Sequence, residues 1–171
     1  MPALTWQRVL GTSAAMTTSL KAGDLAPEFS LLGDDDKTHT LASYRGKRVV
    51  LYFYPRDNTP GCTQEACDFR DSLLAKSLPA DVVVLGVSPD SAETHRKFKQ
   101  KFSLPFVLLA DPGAEAAQKF GAWGEKNNYG KKSMGLIRST FVIGSDGKLL
   151  GVFPKVSVKG HVEKVTALLG K

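Results

Sequence analysis

Two runs of the chain, "RVVLYFYP" at 48–55 and "DVVVLGVSP" at 81–89, consist almost wholly of β-branched, aromatic and aliphatic residues. A strand that is apolar at every position is buried on both faces, as inside a sheet covered by helices. The residues between them carry a helical pattern at about 61–76, so the chain leaves one interior strand, crosses through a helix and enters another. That unit confines the chain to α/β architectures.

The remaining segments fit around it. From Asp24, "DLAPEFSLLGDDDKTHTLASYRGK" has two short extended pieces flanking an acidic, Gly-containing turn, which predicts a hairpin. "SAETHRKFKQKF" at 91–102 predicts a helix opened by Ser91, with Thr94 at the capping-box position usually held by Glu. "PFVLLAD" reads as a short strand and "AEAAQKFG" as a short helix stopped by Gly121. "RSTFVIGSDGKLLGVF" reads as a hairpin turning at Asp146-Gly147, and "KGHVEKVTALLGK" as a closing helix. "WGEKNNYGKK" reads as a Gly-rich polar loop ahead of Arg138. Its Trp123 and Tyr129 are expected to pack onto the core, the alternative being a pocket mouth or docking surface. The sum is an α/β sandwich, a mixed central sheet with helices on both faces.

With 171 residues, 42% of them hydrophobic, the chain has the size and composition of one domain with one filled core. The expected domain is 21–171, preceded by an extension over residues 1–20. The first 23 residues hold no acid, are rich in Ser, Thr and Ala, and carry only Arg8 and Lys21 as cations. They read as a disordered tail, with an organelle transit peptide as the alternative. No run of 18 apolar residues and no secretory apolar core is present, so a soluble, cytoplasmic protein without membrane contact is expected. The formal charge of +6 is scattered, and its densest run, "HRKFKQKF" at 95–102, is a solvated helical face. Nucleic acid is not expected as a partner.

The chain has two cysteines, Cys62 and Cys67, both in "YPRDNTPGCTQEACDF". Two are too few for a disulfide scaffold, and a reducing compartment points to chemistry rather than stapling. Cys62 follows Pro60-Gly61 at a helix N-terminus, where free N–H groups and about half a positive charge favour a thiolate. At about 100° per residue, Ala66, Phe69 and Leu73 share the face of Cys62, while Cys67 lies about 140° away on the flank. Five residues of intact helix separate the two Cα atoms by about 8.6 Å, whereas a disulfide requires about 7 Å or less. A bond between them therefore requires the helix to unwind. A zinc site is disfavoured, because "CTQEAC" supplies two ligands and His39, His95 and His161 form no spaced pair.

"Pro55-Arg56-Asp57-Asn58-Thr59-Pro60-Gly61-Cys62" fits the P-x-x-x-T-x-x-C signature of peroxiredoxins. "YFYPRDNTPGCTQEACDFRD", with "GAWGEK" and "MGLIRSTFVIGSDGKL", resembles the peroxiredoxin Q subfamily, also called bacterioferritin comigratory protein. The resemblance implies a thioredoxin-like fold and thiol-dependent reduction of hydrogen peroxide and organic hydroperoxides, without a cofactor or metal. Position by position it makes Cys62 the peroxidatic cysteine and Cys67 the resolving one. Thr59 becomes the hydroxyl partner of the sulfur, Pro55 its shield and Arg138 the adjacent guanidinium. Glu65 becomes the acid that orients the arginine, the alternative being a partner of the helix dipole. Backbone N–H groups of Gly61 and Cys62 would complete the peroxide cradle with Thr59 and Arg138. Recycling by thioredoxin or a related dithiol, and a monomeric state, are implied by the resemblance alone.

The rival functional class is a thiol–disulfide oxidoreductase or redox sensor on the same fold. Such proteins usually carry C-x-x-C and need neither Arg138 nor Thr59.

Overall fold

Strand β3, Arg48–Phe53, sits at the centre of the protein, and its side chains feed two separate cores. Val49, Leu51 and Phe53 point to one face of the sheet, and Val50 and Tyr52, continued by Tyr54, to the other, every one of them buried. This is the period-two consequence of an uninterrupted apolar run. The computed structural model describes residues 19–170. The N-terminal extension expected over 1–20 lies outside the described residues apart from its last two positions.

The elements in chain order are β1 (Ser30–Gly33), β2 (Thr38–Thr40), a 3-10 turn at Leu41–Tyr44, β3, α1 (Pro60–Leu74), β4 (Val82–Ser88), α2 (Ala92–Phe102), β5 (Val107–Ala110) and α3 (Glu115–Phe120). They continue with β6 (Trp123–Asn128), β7 (Lys131–Leu136), β8 (Ser139–Ile143), β9 (Leu149–Phe153) and α4 (His161–Leu169). The main sheet runs β2-β1-β5-β4-β3-β8-β9. Its β3, β4 and β5 are parallel, joined through α1 and α2, and the other pairings are antiparallel. The sheet is mixed, as the sequence implied. Residues of α1, α2 and α4 share one core with Val50, Tyr52 and Val84. Residues of α3 share the other with Val49, Leu51 and Phe141.

Four readings of the sequence need correction. "WGEKNNYGKK" is not a loop: β6 and β7 pair from Trp123↔Leu136 to Asn128↔Lys131. They turn through Tyr129 and Gly130, both at positive φ (53° and 85°), as a two-residue hairpin turn with right-handed strand twist requires. Its strands are Lys-rich and lack an apolar alternation, which is why period alone did not mark them. Tyr129, expected against the core, is fully exposed at the hairpin tip, whereas Trp123 does pack on the core. Helix α1 also stops two residues short of the expected end, since Lys76 turns to φ 56°. At the start of α2, Ser91 Oγ accepts from Thr94 N at 3.2 Å. Thr94 Oγ1 takes a bond from Ser91 Oγ instead of returning one to the Ser91 backbone, so half of the capping box forms.

Candidate active site at the mouth of helix α1

Chain direction reverses between β3 and α1 in six residues. Asn58 takes a left-handed φ of 59°, a conformation that Asn tolerates better than most residues. Thr59 is the extended N-cap (φ −102°, ψ 158°), and Pro60 occupies the first helical position, where its missing N–H costs nothing. The first backbone bond of α1 runs from Thr63 N to Thr59 O at 2.8 Å. The N–H groups of Gly61 and Cys62 precede that bond, and no side chain caps the helix. The positive end of the dipole therefore faces the cysteine.

Cys62 is 1% exposed and faces the core with Ala66 and Phe69, on the phase read from sequence. Arg138 lies just before β8 and is held by its backbone, Val156 N donating to Arg138 O at 2.8 Å. Its guanidinium spans two groups of α1. Nη2 donates to Cys62 Sγ at 3.3 Å, and Nη1 donates to Glu65 Oε1 at 2.6 Å. Gly61 leaves room for this approach, since a Cβ there would stand 3.3 Å from Arg138 Nη2 and press on the guanidinium.

Glu65 is fully buried, so it is not a solvent-facing partner of the helix dipole. Burial pushes its carboxyl up from the ordinary 4.5 to about 7, against the pull of the Arg138 charge and hydrogen bond. Its second oxygen, Oε2, has no hydrogen-bond partner and lies 4.0 Å from His161 Nε2. That approach is not an ion pair at neutral pH. Burial, with the charges of Lys164 and Arg138, pushes His161 down to about 4, and its Nε2 is shared with Thr140 Oγ1 at 2.8 Å.

Thr59 is close in sequence but aimed differently from expectation. Its Oγ1 donates to Arg56 O at 3.0 Å, so the hydroxyl proton points into the loop and its lone pairs remain for an incoming donor. Pro55 and Arg138 line a hollow of about 370 Å³ with Lys126, Ile137, Lys155 and Val156. Lys126, from the unforeseen β6–β7 hairpin, and Lys155 and Val156, beyond β9, were invisible as site residues because only the fold brings them to Pro55. A larger hollow of about 600 Å³ between α1 and α4 includes Asp68, Asp71 and Glu163 but no residue of this constellation. Chemistry, not size, locates the site.

Cys67 lies on the partly exposed flank of the same unbroken helix, and both thiols are free. Burial raises its pKa, only partly offset by Arg70, so Cys67 is a protonated thiol at neutral pH.

A buried cysteine at a helix mouth, under an arginine from the neighbouring strand of a mixed sheet, defines a thiol-based redox enzyme. Comparison with known proteins gives the class a family. The AhpC/TSA family model matches residues 22–151. Peroxiredoxin Bcp of Bacillus subtilis is 49% identical over 151 residues, covering 88% of this chain and 96% of that one. Among solved structures, peroxiredoxin Q of Xanthomonas campestris superposes with TM-score 0.76 at 37% identity, covering 83% of this chain and 89% of that one. The Xanthomonas campestris bacterioferritin comigratory protein, solved for its alkyl peroxide reduction activity, gives TM-score 0.77 at 34% identity over 92% and 98%. The chain belongs to the AhpC/TSA family and, within it, to the peroxiredoxin Q group, with a thioredoxin-like fold. No helix among the described residues is long and apolar enough to cross a membrane.

Proposed function

We propose that this chain is a peroxidase in which Cys62 attacks hydrogen peroxide or an organic hydroperoxide and Cys67 completes the cycle. The observation that carries the reading is the Arg138 bridge, 3.3 Å from Cys62 Sγ and 2.6 Å from Glu65 Oε1. Ionisation alone is a weak lever. A free thiol with a pKa of about 8.5 is already about 3% thiolate at neutral pH, so complete ionisation gains about 30-fold, or about 2 kcal/mol. The larger share comes from fixed donors that align the O–O bond with the sulfur and stabilise the departing oxygen.

Arg138 provides those donors in a planar fork whose second arm is anchored on Glu65. The N–H groups of Gly61 and Cys62 extend the cradle, and Thr59 Oγ1 accepts the peroxide proton on its free lone pairs. Pro55 walls the site without adding an N–H. The thiolate takes one oxygen and becomes a sulfenate, and the other oxygen leaves with the proton as water or an alcohol. Cys67 then displaces water from the Cys62 sulfenic acid, forming a disulfide. A dithiol such as thioredoxin returns both sulfurs to thiols and is itself oxidised. The active form is read as a cytoplasmic monomer on the resemblance to peroxiredoxin Q alone.

A thiol–disulfide oxidoreductase would gain from Arg138 only a more ionised sulfur, because its reaction has no departing peroxide oxygen for the guanidinium fork to hold. The deciding experiment adds hydrogen peroxide to the reduced protein without a partner. One equivalent should be consumed per chain as free thiols fall from two to none, and a dithiol reductant should restore turnover. Persistence of both thiols would refute the peroxidase reading.

A further inference from the structure

The loop that delivers Cys62 is tied from beneath by a buried polar chain with no part in the chemistry above. Asp57 lies midway between Pro55 and Thr59, with its side chain 1% exposed. Its Oδ1 accepts from Tyr54 OH at 2.6 Å, and its Oδ2 meets His95 Nδ1 of α2 at 2.6 Å. His95 is itself fully buried, and its Nε2 donates to Leu109 O on β5 at 3.0 Å. Asp57 N donates to Asp90 Oδ2 at 2.7 Å, and Ser88 Oγ holds the same oxygen at 2.8 Å. One residue of the loop is thus bonded to the end of β3, to α2 and to the segment after β4, and through His95 to β5.

The bonds count out without ambiguity. A carbonyl only accepts, so His95 Nε2 carries a hydrogen, and one further proton lies between Nδ1 and Asp57 Oδ2. Every polar atom of the Asp57 carboxylate and the His95 ring is then partnered. Such buried polar groups add little net stability compared with a well-packed apolar replacement, and a fully satisfied network fixes one geometry of the chain around it. Here that geometry includes Arg56 O, which takes the Thr59 hydroxyl, and the left-handed turn at Asn58.

We propose that Asp57 and His95 are positioning residues for the peroxidase reaction, holding the Pro55–Thr59 loop in register with Arg138 so that the peroxide lies in line with Cys62. The proposal rests on the peroxidase reading. It places the fixed edge of the site upstream of Thr59, so the unwinding that lets Cys67 reach Cys62 belongs to α1 alone.

Two rates on the full-length reduced protein separate positioning from folding. Oxidation of Cys62 by hydrogen peroxide needs the cradle, whereas alkylation by iodoacetamide at the same pH needs only an accessible, ionised sulfur. For Asp57→Ala the peroxide rate should fall by about 100-fold, the size of effect that a 1 Å misplacement produces, with alkylation unchanged within about threefold. Asp57→Asn should restore both rates, since its Oδ1 accepts from Tyr54 and its Nδ2 can donate to His95 Nδ1. If Asp57→Ala does not fold, Tyr54→Phe, which removes one bond of the three and leaves the ring, should lower the peroxide rate by about tenfold without touching alkylation. Equal peroxide rates in wild type and Asp57→Ala, a parallel loss of both rates, or failure of Asp57→Asn to rescue would each overturn the proposal. A wild-type protein inert to peroxide would overturn the reading beneath it as well.

Discussion

Two cysteines sit on one helix in opposite surroundings. Cys62 is enclosed: the sheet core lies on one side, the Arg138 guanidinium on the other, and Gly61 is kept small by that guanidinium. Cys67, five residues on, lies among Asp68, Arg70 and Asp71, whose side chains bond to Gln64 and to each other, with one longer tie from Arg70 Nη1 to Phe102 O at 2.8 Å. Ion pairs of that kind contribute about 0–1 kcal/mol each. The contrast assigns a fixed end and a yielding end to the same helix. In the proposed mechanism the end that meets peroxide stays in place, and the end that resolves the product leaves its helical position.

Removing one sulfur at a time breaks this comparison most completely. Cys62→Ser should abolish peroxide consumption, whereas Cys67→Ser should consume one equivalent and stall as a sulfenic acid, detectable by a dimedone adduct in mass spectrometry. Sustained cycling of Cys67→Ser with thioredoxin would remove Cys67 from the mechanism. Arg138→Lys keeps the charge but not the fork, and should lower the peroxide rate by about 10²–10³-fold, the loss typical of a missing transition-state donor. A rate near that of wild type would mean that charge alone suffices.

Smaller changes sharpen the picture. Gly61→Ala places a methyl 3.3 Å from Arg138 Nη2 and should reduce the peroxide rate by about tenfold, while disulfide reduction by a dithiol stays at the wild-type rate. Glu65→Gln retains an acceptor for Arg138 and should cost activity only a few-fold. Its signature is in stability. The Glu65 carboxyl is raised from 4.5 to about 7 in the folded protein, so between those values the folded state holds the proton more tightly than the unfolded one. Stability from this group is full below about pH 4.5 and is lost as pH rises through about 7. Urea unfolding should show Glu65→Gln gaining on wild type by up to about 3 kcal/mol across that window. A constant difference would mean that Glu65 is not held protonated by burial.

Much of this was legible in the sequence because apolar runs and Gly/Pro punctuation act locally. β3, β4, α1 and the β8–β9 hairpin announce themselves by period and turn residues, and the helical phase alone placed Cys62 inward and Cys67 on the flank. Arg138 and Glu65 are 73 residues apart, and only the resemblance paired them. The direction of the Thr59 hydroxyl depends on the loop turning at Asn58, which no spacing records. The β6–β7 hairpin was missed because its polar, Lys-rich strands have no core face to reveal a period of two. His95, read as an isolated histidine, is joined to Asp57 by the packing of α2 against the catalytic loop.

The central claim is that Cys62 and Cys67 cannot bond while α1 stands from Pro60 to Leu74. Amide hydrogen exchange over residues 60–75, measured on the reduced and the peroxide-oxidised protein, tests it directly. Reduced protein should protect the segment as a helix, and the Cys62–Cys67 disulfide form should lose that protection around Cys67 while β3 and β4 keep theirs. Equal protection in a sample shown by mass to carry the intramolecular disulfide would contradict the account.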